Sequence, residues 1–294
     1  MIPVTDAHHH IWRFDRTPWL QGPMQPRIFG DYEALRRDYP IEEFAADAAT
    51  HGVTKSVYVQ INVAPGDEVS ESGWATEQGL RAGLIQAVTG FADLADPAVA
   101  KSLDEQMLRA PLRGIRQQLH WHGNPQYRFA KAPDVMTSRQ WRRGLKEVGA
   151  RGLHFELQVF ENQYEHALDL VDAFPDITFV LLHAGMPEDH SAEGRKRWAT
   201  DLGRFAERHN VLTKISGLGT FSHVCSFETW APIIHAAVDI FSPARCLFGS
   251  NFPIEKLWTD YATLIATVRE SLAIYGEDEQ RAVLSGTADR LYRI

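Results

Sequence analysis

The chain has 294 residues, 44% of them hydrophobic and 23% charged, with a formal net charge of −8. That length suits one large α/β domain of roughly 250 residues better than two small ones. The acidic balance, with no basic stripe, argues against nucleic-acid binding, which needs clustered Lys and Arg against phosphates. It leaves room for an anionic small molecule held by local arginines. Cys225 and Cys246 form no C-x-x-C motif and read as two buried thiols in a reducing compartment. The opening MIPVTDAHHHIW has no basic segment leading into a long apolar one, and no apolar run has bilayer-spanning length. A cytoplasmic location with no membrane partner is therefore expected.

Strand-like and helix-like stretches alternate along the chain. The first strand is expected at residues 3–8. A long loop at 13–40, rich in Pro, Gly and aromatics, leads to a helical pattern at 41–51 and a strand at 55–60. Strands at 85–91 and 112–118 flank a helix that Asp96 and Pro97 would start as N-cap and first helical residue. A second long loop at 120–133 opens His-Trp-His-Gly-Asn-Pro. Loops of this length without structure of their own are often functional. Beyond it, helices at 138–148, 164–174, 193–208, 227–241 and 261–275 alternate with strands at 152–159, 177–183, 211–216 and 245–250. A segment at 278–291 reads as an extra C-terminal helix. Several strands are near-continuous apolar runs, as parallel strands buried on both faces require. Eight such repeats favour closure into a (β/α)8 TIM barrel forming a single domain over residues 1–294. The missing G-x-G-x-x-G after the first strand weakens the dinucleotide-fold alternative.

In such barrels chemistry sits where strands end at the C-terminal face. Period-two alternation puts His8 and His10 on one face of the first strand and His9 on the other. Two imidazoles facing the interior can hold one metal or one substrate oxygen, although a structural histidine cluster is the plainer alternative. His183 ends the sixth strand in Val180-Leu-Leu-His-Ala-Gly. Beyond the fourth strand, Arg116 can clamp a carboxylate in a bidentate fork, and His120 and His122 can reach over the mouth. Gln60 and Gln158 read either as substrate hydrogen-bonders or as polar caps on the rim. Trp12, Trp74 and Trp121 are wall or packing residues. Asn251 ends the eighth strand. Lys214, on the seventh, would bind an anion inside the barrel or pair with a buried carboxylate such as Asp6.

Taken together, Asp6-Ala-His-His-His-Ile-Trp12, His183-Ala-Gly-Met-Pro187, Lys214-Ile-Ser-Gly-Leu218, Phe248-Gly-Ser-Asn-Phe-Pro253 and Leu291-Tyr-Arg293 resemble the amidohydrolase superfamily. The closer likeness is to its amidohydrolase-2 branch, with its lactonases for pyrone-dicarboxylate, sulfomuconolactone and sugar lactones. The resemblance implies catalytic roles for His8, His10 and His183, and it places the family's water-activating Asp at position 251. Here that residue is Asn, and a carboxamide cannot accept a proton at useful pH. No residue that would bridge two metals is evident. The resemblance therefore implies either one divalent metal, Zn2+ foremost, on His8, His10 and His183, or none.

Three functions follow as expectations. The first is a hydrolase that opens a small carboxylated or polyhydroxy lactone, with Arg116 on a carboxylate and His183 or a metal-bound hydroxide supplying activated water. The second is a lactone isomerase in which the histidines move protons without hydrolysis. The third is a catalytically silent binding protein that kept the pocket.

Overall fold

The computed structural model describes residues 1–294. Its strands are β1 (Val4–His9), β2 (Val53–Val59), β3 (Ile85–Gly90), β4 (Leu112–Ile115), β5 (His154–Leu157), β6 (Phe179–Leu181), β7 (Val211–Ile215) and β8 (Cys246–Phe248). They lie side by side in that order, every neighbouring pair parallel. The segment just past β8 brings the ring nearly shut. There the Asn251 N–H donates to the His8 carbonyl at 2.7 Å and the His10 N–H to the Phe252 carbonyl at 2.7 Å. The Asp6 carboxylate adds a strut, accepting from the Ser250 N–H at 2.9 Å and the Tyr261 hydroxyl at 3.0 Å. This is the expected (β/α)8 barrel.

The helices that follow the strands are α1 (Ile41–Ala48), α2 (Glu68–Ala82), α3 (Val99–Arg109), α4 (Arg139–Ala150), α5 (Tyr164–Ala173), α6 (Ala192–Ala206), α7 (Phe227–Phe241) and α8 (Tyr261–Leu272). Strand alternation divides the core into two layers. Phe179 and Leu181 point outward to pack with Trp198, Leu202 and Phe205 of α6. Val180 points inward with Ala7, Val57, Ala87 and Leu247. Ala288 and Tyr292 join that inner cluster, so the C-terminal helix acts as a plug on the barrel floor. None of the helices is long and apolar enough to cross a membrane.

Four details differ from the sequence expectation. Helix α2 went unrecognised because its buried face is Glu71, Ser72, Ala75 and Gly79, which gives no apolar stripe to read. Gly79 lets α2 approach β3 closely, since a Cβ there would lie 2.6 Å from that of Ile85. Asp96 is not an N-cap. Its carboxylate accepts from the Ala98 N–H at 2.7 Å in a turn, and α3 begins at Val99. The C-terminal helix is not uniform, because Ala282–Gly286 is a π-helical stretch between Glu277–Arg281 and Thr287–Tyr292. Finally, Cys246 is buried but Cys225 only partly so.

Inside the barrel Lys214 pairs with Glu156 at 2.6 Å, both fully buried. This corrects Asp6 as its partner, since Asp6 is spent on the β8–β1 closure. The same Glu156 oxygen accepts from the Thr89 hydroxyl at 2.9 Å and the Tyr292 hydroxyl at 2.7 Å. Burial by itself would raise the Glu156 pKa, but the Lys214 charge and His154 hold it well below the ordinary carboxylate range. Burial brings Lys214 down to about 8 against the pull of Glu156. Removing one member strands the other charge in a low-dielectric interior. Lys214→Met is expected to cost about 3–5 kcal/mol in urea unfolding. Lys214→Met/Glu156→Gln should recover much of that loss, because a neutral carboxamide needs no counter-charge.

Candidate active site

Except for β1, which runs on to His9, the strands end earlier than the sequence pattern predicts, so most polar residues at the mouth sit just beyond the last ladder pairs. A cleft opens there, about 730 Å³ with the open space at its mouth included. Among the predicted residues, His10, Trp12, Arg116, His120, Gln158, His183 and Asn251 line it. His8 lies directly beneath, with its ring centroid 5.1 Å from that of His10 and 5.0 Å from that of His183. His9 points out of the barrel and stacks on Phe44 of α1 at 3.8 Å, a packing role.

Two predicted residues are elsewhere. Gln60 is buried behind the cleft, with its side-chain oxygen accepting from the Asn62 N–H at 2.7 Å and its amide donating to the Arg116 carbonyl at 3.3 Å. It braces the Arg116 loop and does not line the cleft. His122 packs on Tyr127 and Phe160, with Nε2 3.4 Å from Glu188. Trp12 lines the wall, but its indole N–H is engaged by the Arg37 carbonyl at 2.8 Å. Trp74 belongs to a separate cavity beside α2, and Trp121 lies under the Arg128 guanidinium.

Sequence reasoning missed Arg27 and Arg128, which line the cleft with Arg116. Arg27 comes from the 13–40 loop and sits over Trp19 and Phe129, 5.3 and 5.7 Å from the ring centroids. An arginine in a long loop carries no periodic signal, so only the fold shows where it goes. No Asp or Glu lines the cleft. Arg116 is almost fully buried. Its Nη2 donates to the Gln60 carbonyl, its Nε has no partner, and burial brings its pKa down to about 10. The cleft is thus a positive region in a protein of net charge −8.

The imidazoles are held as neutral bases with distinct faces. Val59 O lies 2.7 Å from His10 Nδ1, and since a carbonyl only accepts, His10 carries its proton on Nδ1 and bares Nε2. Lys214 Nζ lies 3.5 Å from His8 Nδ1, so that nitrogen accepts and the His8 proton sits on Nε2, an atom with no protein partner. These tautomers follow from the neighbours. His183 Nδ1 meets Ser216 Oγ at 2.9 Å, which leaves Nε2 for the cleft. Burial, then the Arg116 and Lys214 charges, bring His183 down to about 3, while burial and Arg116 do the same for His120. His8 and His10 are lowered well below their ordinary value, chiefly by burial.

Backbone geometry is special at two of these positions. His183 has φ 54° and ψ 42°, and Asn251 has φ 56°. Left-handed backbone is uncommon away from glycine, although asparagine adopts it readily, and at the buried His183 the surroundings hold it. Gly217 makes room for the first of them. Its φ is +60°, and a Cβ there would lie 2.6 Å from His183 Nδ1.

A parallel eight-stranded barrel with histidines from β1 and β6 at its C-terminal mouth defines an amidohydrolase-type barrel. The chain belongs to the amidohydrolase-2 family, whose profile matches residues 5–294. It is 33% identical to the uncharacterized protein y4mH of Sinorhizobium fredii over all of this chain and 99% of that protein. It is 26% identical to an L-fucono-1,5-lactonase of Burkholderia multivorans, covering 98% of this chain and 95% of the lactonase. Among solved structures, a Burkholderia multivorans amidohydrolase crystallised with bound Zn superposes with a TM-score of 0.82 at 24% identity, covering 99% of both chains.

With His120 and His183 both near 3, their ring-proton NMR signals are expected to stay flat between pH 5 and 8. A midpoint near 6.5 for either would show that the burial and the arginine field described above are wrong.

Proposed function

We propose that this protein hydrolyses a small carboxylated lactone. The observation that carries the reading is the acid-free cleft, where Arg27, Arg116 and Arg128 face the same space as His183 and Asn251. Uncompensated guanidinium groups in a partly desolvated cleft favour an anionic ligand over a neutral polyhydroxy one. Arg116, with its free Nε, binds the carboxylate and fixes the ring. His8 Nε2–H lies at the floor as the donor to the lactone carbonyl oxygen, where charge develops on attack. Asn251 orients the attacking water, and His183 Nε2 takes its proton. The tetrahedral centre then collapses with cleavage of the ring C–O bond, and the proton on His183 passes to the departing alkoxide. Water thus ends as one carboxylate oxygen and one hydroxyl proton, with a further proton released to solvent. His183 is uncharged at neutral pH and, as a weak base, takes the proton only as the water oxygen bonds to the carbonyl carbon, and the imidazolium it becomes is a strong acid toward the leaving oxygen.

The donor set does not fit a resident divalent metal, so no step is routed through one. The Lys214 cation directs the His8 proton onto the nitrogen that would have to coordinate. Asn251 stands where the resemblance places an Asp, and no group of three His, Cys, Asp or Glu side chains is arranged to bind an ion. The arginines would add repulsion.

The test is a lactone panel assayed with and without added Zn2+ and Mn2+. Carboxylated lactones are expected to open with 18O from water in the product. Arg116→Met should raise KM about 10- to 100-fold, the loss of a charge-assisted hydrogen bond. His183→Ala should lower kcat by about 100-fold or more. Preference for neutral sugar lactones, unaffected by Arg116→Met, would sink the carboxylate assignment. A product of unchanged mass would point to the isomerase instead.

A further inference from the structure

The loop between β1 and α1 sends one segment, residues 23–29, to the cleft, where Pro26, Arg27, Ile28 and Phe29 form part of the lining. The chain is anchored on either side of it. Trp19, in the short helical turn Pro18–Gln21, donates its indole N–H to the Ile61 carbonyl at 2.8 Å. Tyr32 is fully buried, and its hydroxyl donates to the Trp19 carbonyl at 3.3 Å. Between these anchors the backbone is barely held. Pro23 and Pro26 have no N–H to give, and the N–H groups of Met24, Arg27, Ile28 and Phe29 have no backbone partner. The Gln25 N–H reaches the Tyr32 hydroxyl at 3.0 Å, and the Gly30 N–H closes a turn on the Arg27 carbonyl at 3.0 Å. Residues 23–26 are exposed. Few backbone hydrogen bonds and high exposure place such a stretch at the low-stability end of a fold.

Side chains hold the segment instead. Phe29 packs on Trp19 and Tyr32, with ring centroids 6.3 and 5.8 Å apart, both partners lying in the same loop. Arg27 is the side chain that bridges to another loop. Its guanidinium lies 5.3 Å from the Trp19 ring and 5.7 Å from the ring of Phe129 in the 120–133 loop. The residue is half-buried, its Nε has no partner, and no carboxylate lines the cleft to meet it. A cation over aromatic faces is held more weakly than one in a charge-assisted hydrogen bond. An apolar side chain would serve the same packing without desolvating a charge. What Arg27 lacks is an anion on the cleft side.

We propose that residues 23–29 are a strap that an anionic ligand pins shut over the cleft through Arg27. The inference rests on the carboxylate reading of the cleft. In the open form Arg27 leaves Phe129 and the cleft, so a bound carboxylate gains its hydrogen bonds from this guanidinium only in the closed form. A ligand shifts such an equilibrium by the difference in its affinity for the two forms. A neutral ligand of the same shape has no such difference through Arg27. In the closed form Pro26 and Ile28 wall the cleft, which keeps bulk water from the bound molecule.

Chymotrypsin reports on the strap, because cleavage after Phe29 requires the segment to leave its place on Trp19 and Tyr32. Glutarate is the anionic probe, and glutaramide is the neutral probe of the same length. In the full-length wild type, saturating glutarate should slow cleavage at Phe29–Gly30 about tenfold or more, the worth of one charge-assisted hydrogen bond. Glutaramide should leave the rate unchanged. Arg27→Met keeps an unbranched side chain against the two rings and should be cut equally fast with and without glutarate. In isothermal titration it should bind glutarate about tenfold more weakly than the wild type. Protection by glutaramide as strong as that by glutarate overturns the proposal, as does protection of Arg27→Met equal to that of the wild type. Glutarate that binds the wild type in titration yet leaves cleavage unchanged overturns the strap and leaves the anionic-ligand reading standing. A wild type that binds no glutarate overturns that reading and the strap with it.

Discussion

The Lys214–Glu156 ion pair is fully buried inside the barrel, and the arrangement around it follows from the need to satisfy two charges away from water. Glu156 draws the Tyr292 hydroxyl inward, which seats the C-terminal helix on the barrel floor. It also takes Thr89 from β3, linking strands that are not neighbours. Lys214, so held, presents Nζ to His8 Nδ1. A structural interaction in the interior thereby decides a chemical property at the mouth, namely which nitrogen of His8 carries the proton. A buried pair is weak evidence for stability in itself. Here its consequence is orientation, because a neutral apolar pair would fill the same volume and leave His8 free to take either tautomer.

The same economy of charge explains the cleft. Lys214 is neutralised below it by Glu156, but Arg116, Arg27 and Arg128 are not neutralised by any residue of the lining. The imidazoles sit in that positive field and out of water, and both effects favour the uncharged ring. Neutral histidines, an anion-binding rim and a carboxamide in place of a carboxylate form one consistent electrostatic design. A carboxylate directly in the cleft would offset the arginine charges, and Asn251 leaves the lining free of one.

How much of this was legible in the sequence depends on whether the signal was periodic. The parallel strands declare themselves as apolar runs. His8, His10, His183 and Asn251 could be placed because each follows such a run, and alternation separated His9 from its neighbours. Helix α2 left no trace because its inward face is Glu71, Ser72, Ala75 and Gly79. Gln60 and Gln158 look alike in sequence, each following a β run, yet Gln60 turns into the loop hydrogen bonds while Gln158 lines the cleft with Oε1 unpartnered. That difference arises from loop geometry after the strand, which residue spacing does not encode. Arg27 and Arg128 are on loops, and the partner of Lys214 depends on which inward side chains share a layer. Such contacts are set by the closure of the barrel and are long-range by nature.

Asn251 shows why a motif residue should be read with its neighbours. By itself the change from Asp reads as loss of a base and hence of function. In the structure Asn251 has a left-handed backbone, which asparagine adopts readily. It remains tied to β1 through the His8 carbonyl, with Glu255 buried four residues beyond. A buried unpaired carboxyl costs stability, and mutation would remove it readily from a site with no use for it. A carboxyl kept so close behind the cleft, yet outside its lining, argues that the change from Asp to Asn251 is not read correctly from residue 251 alone.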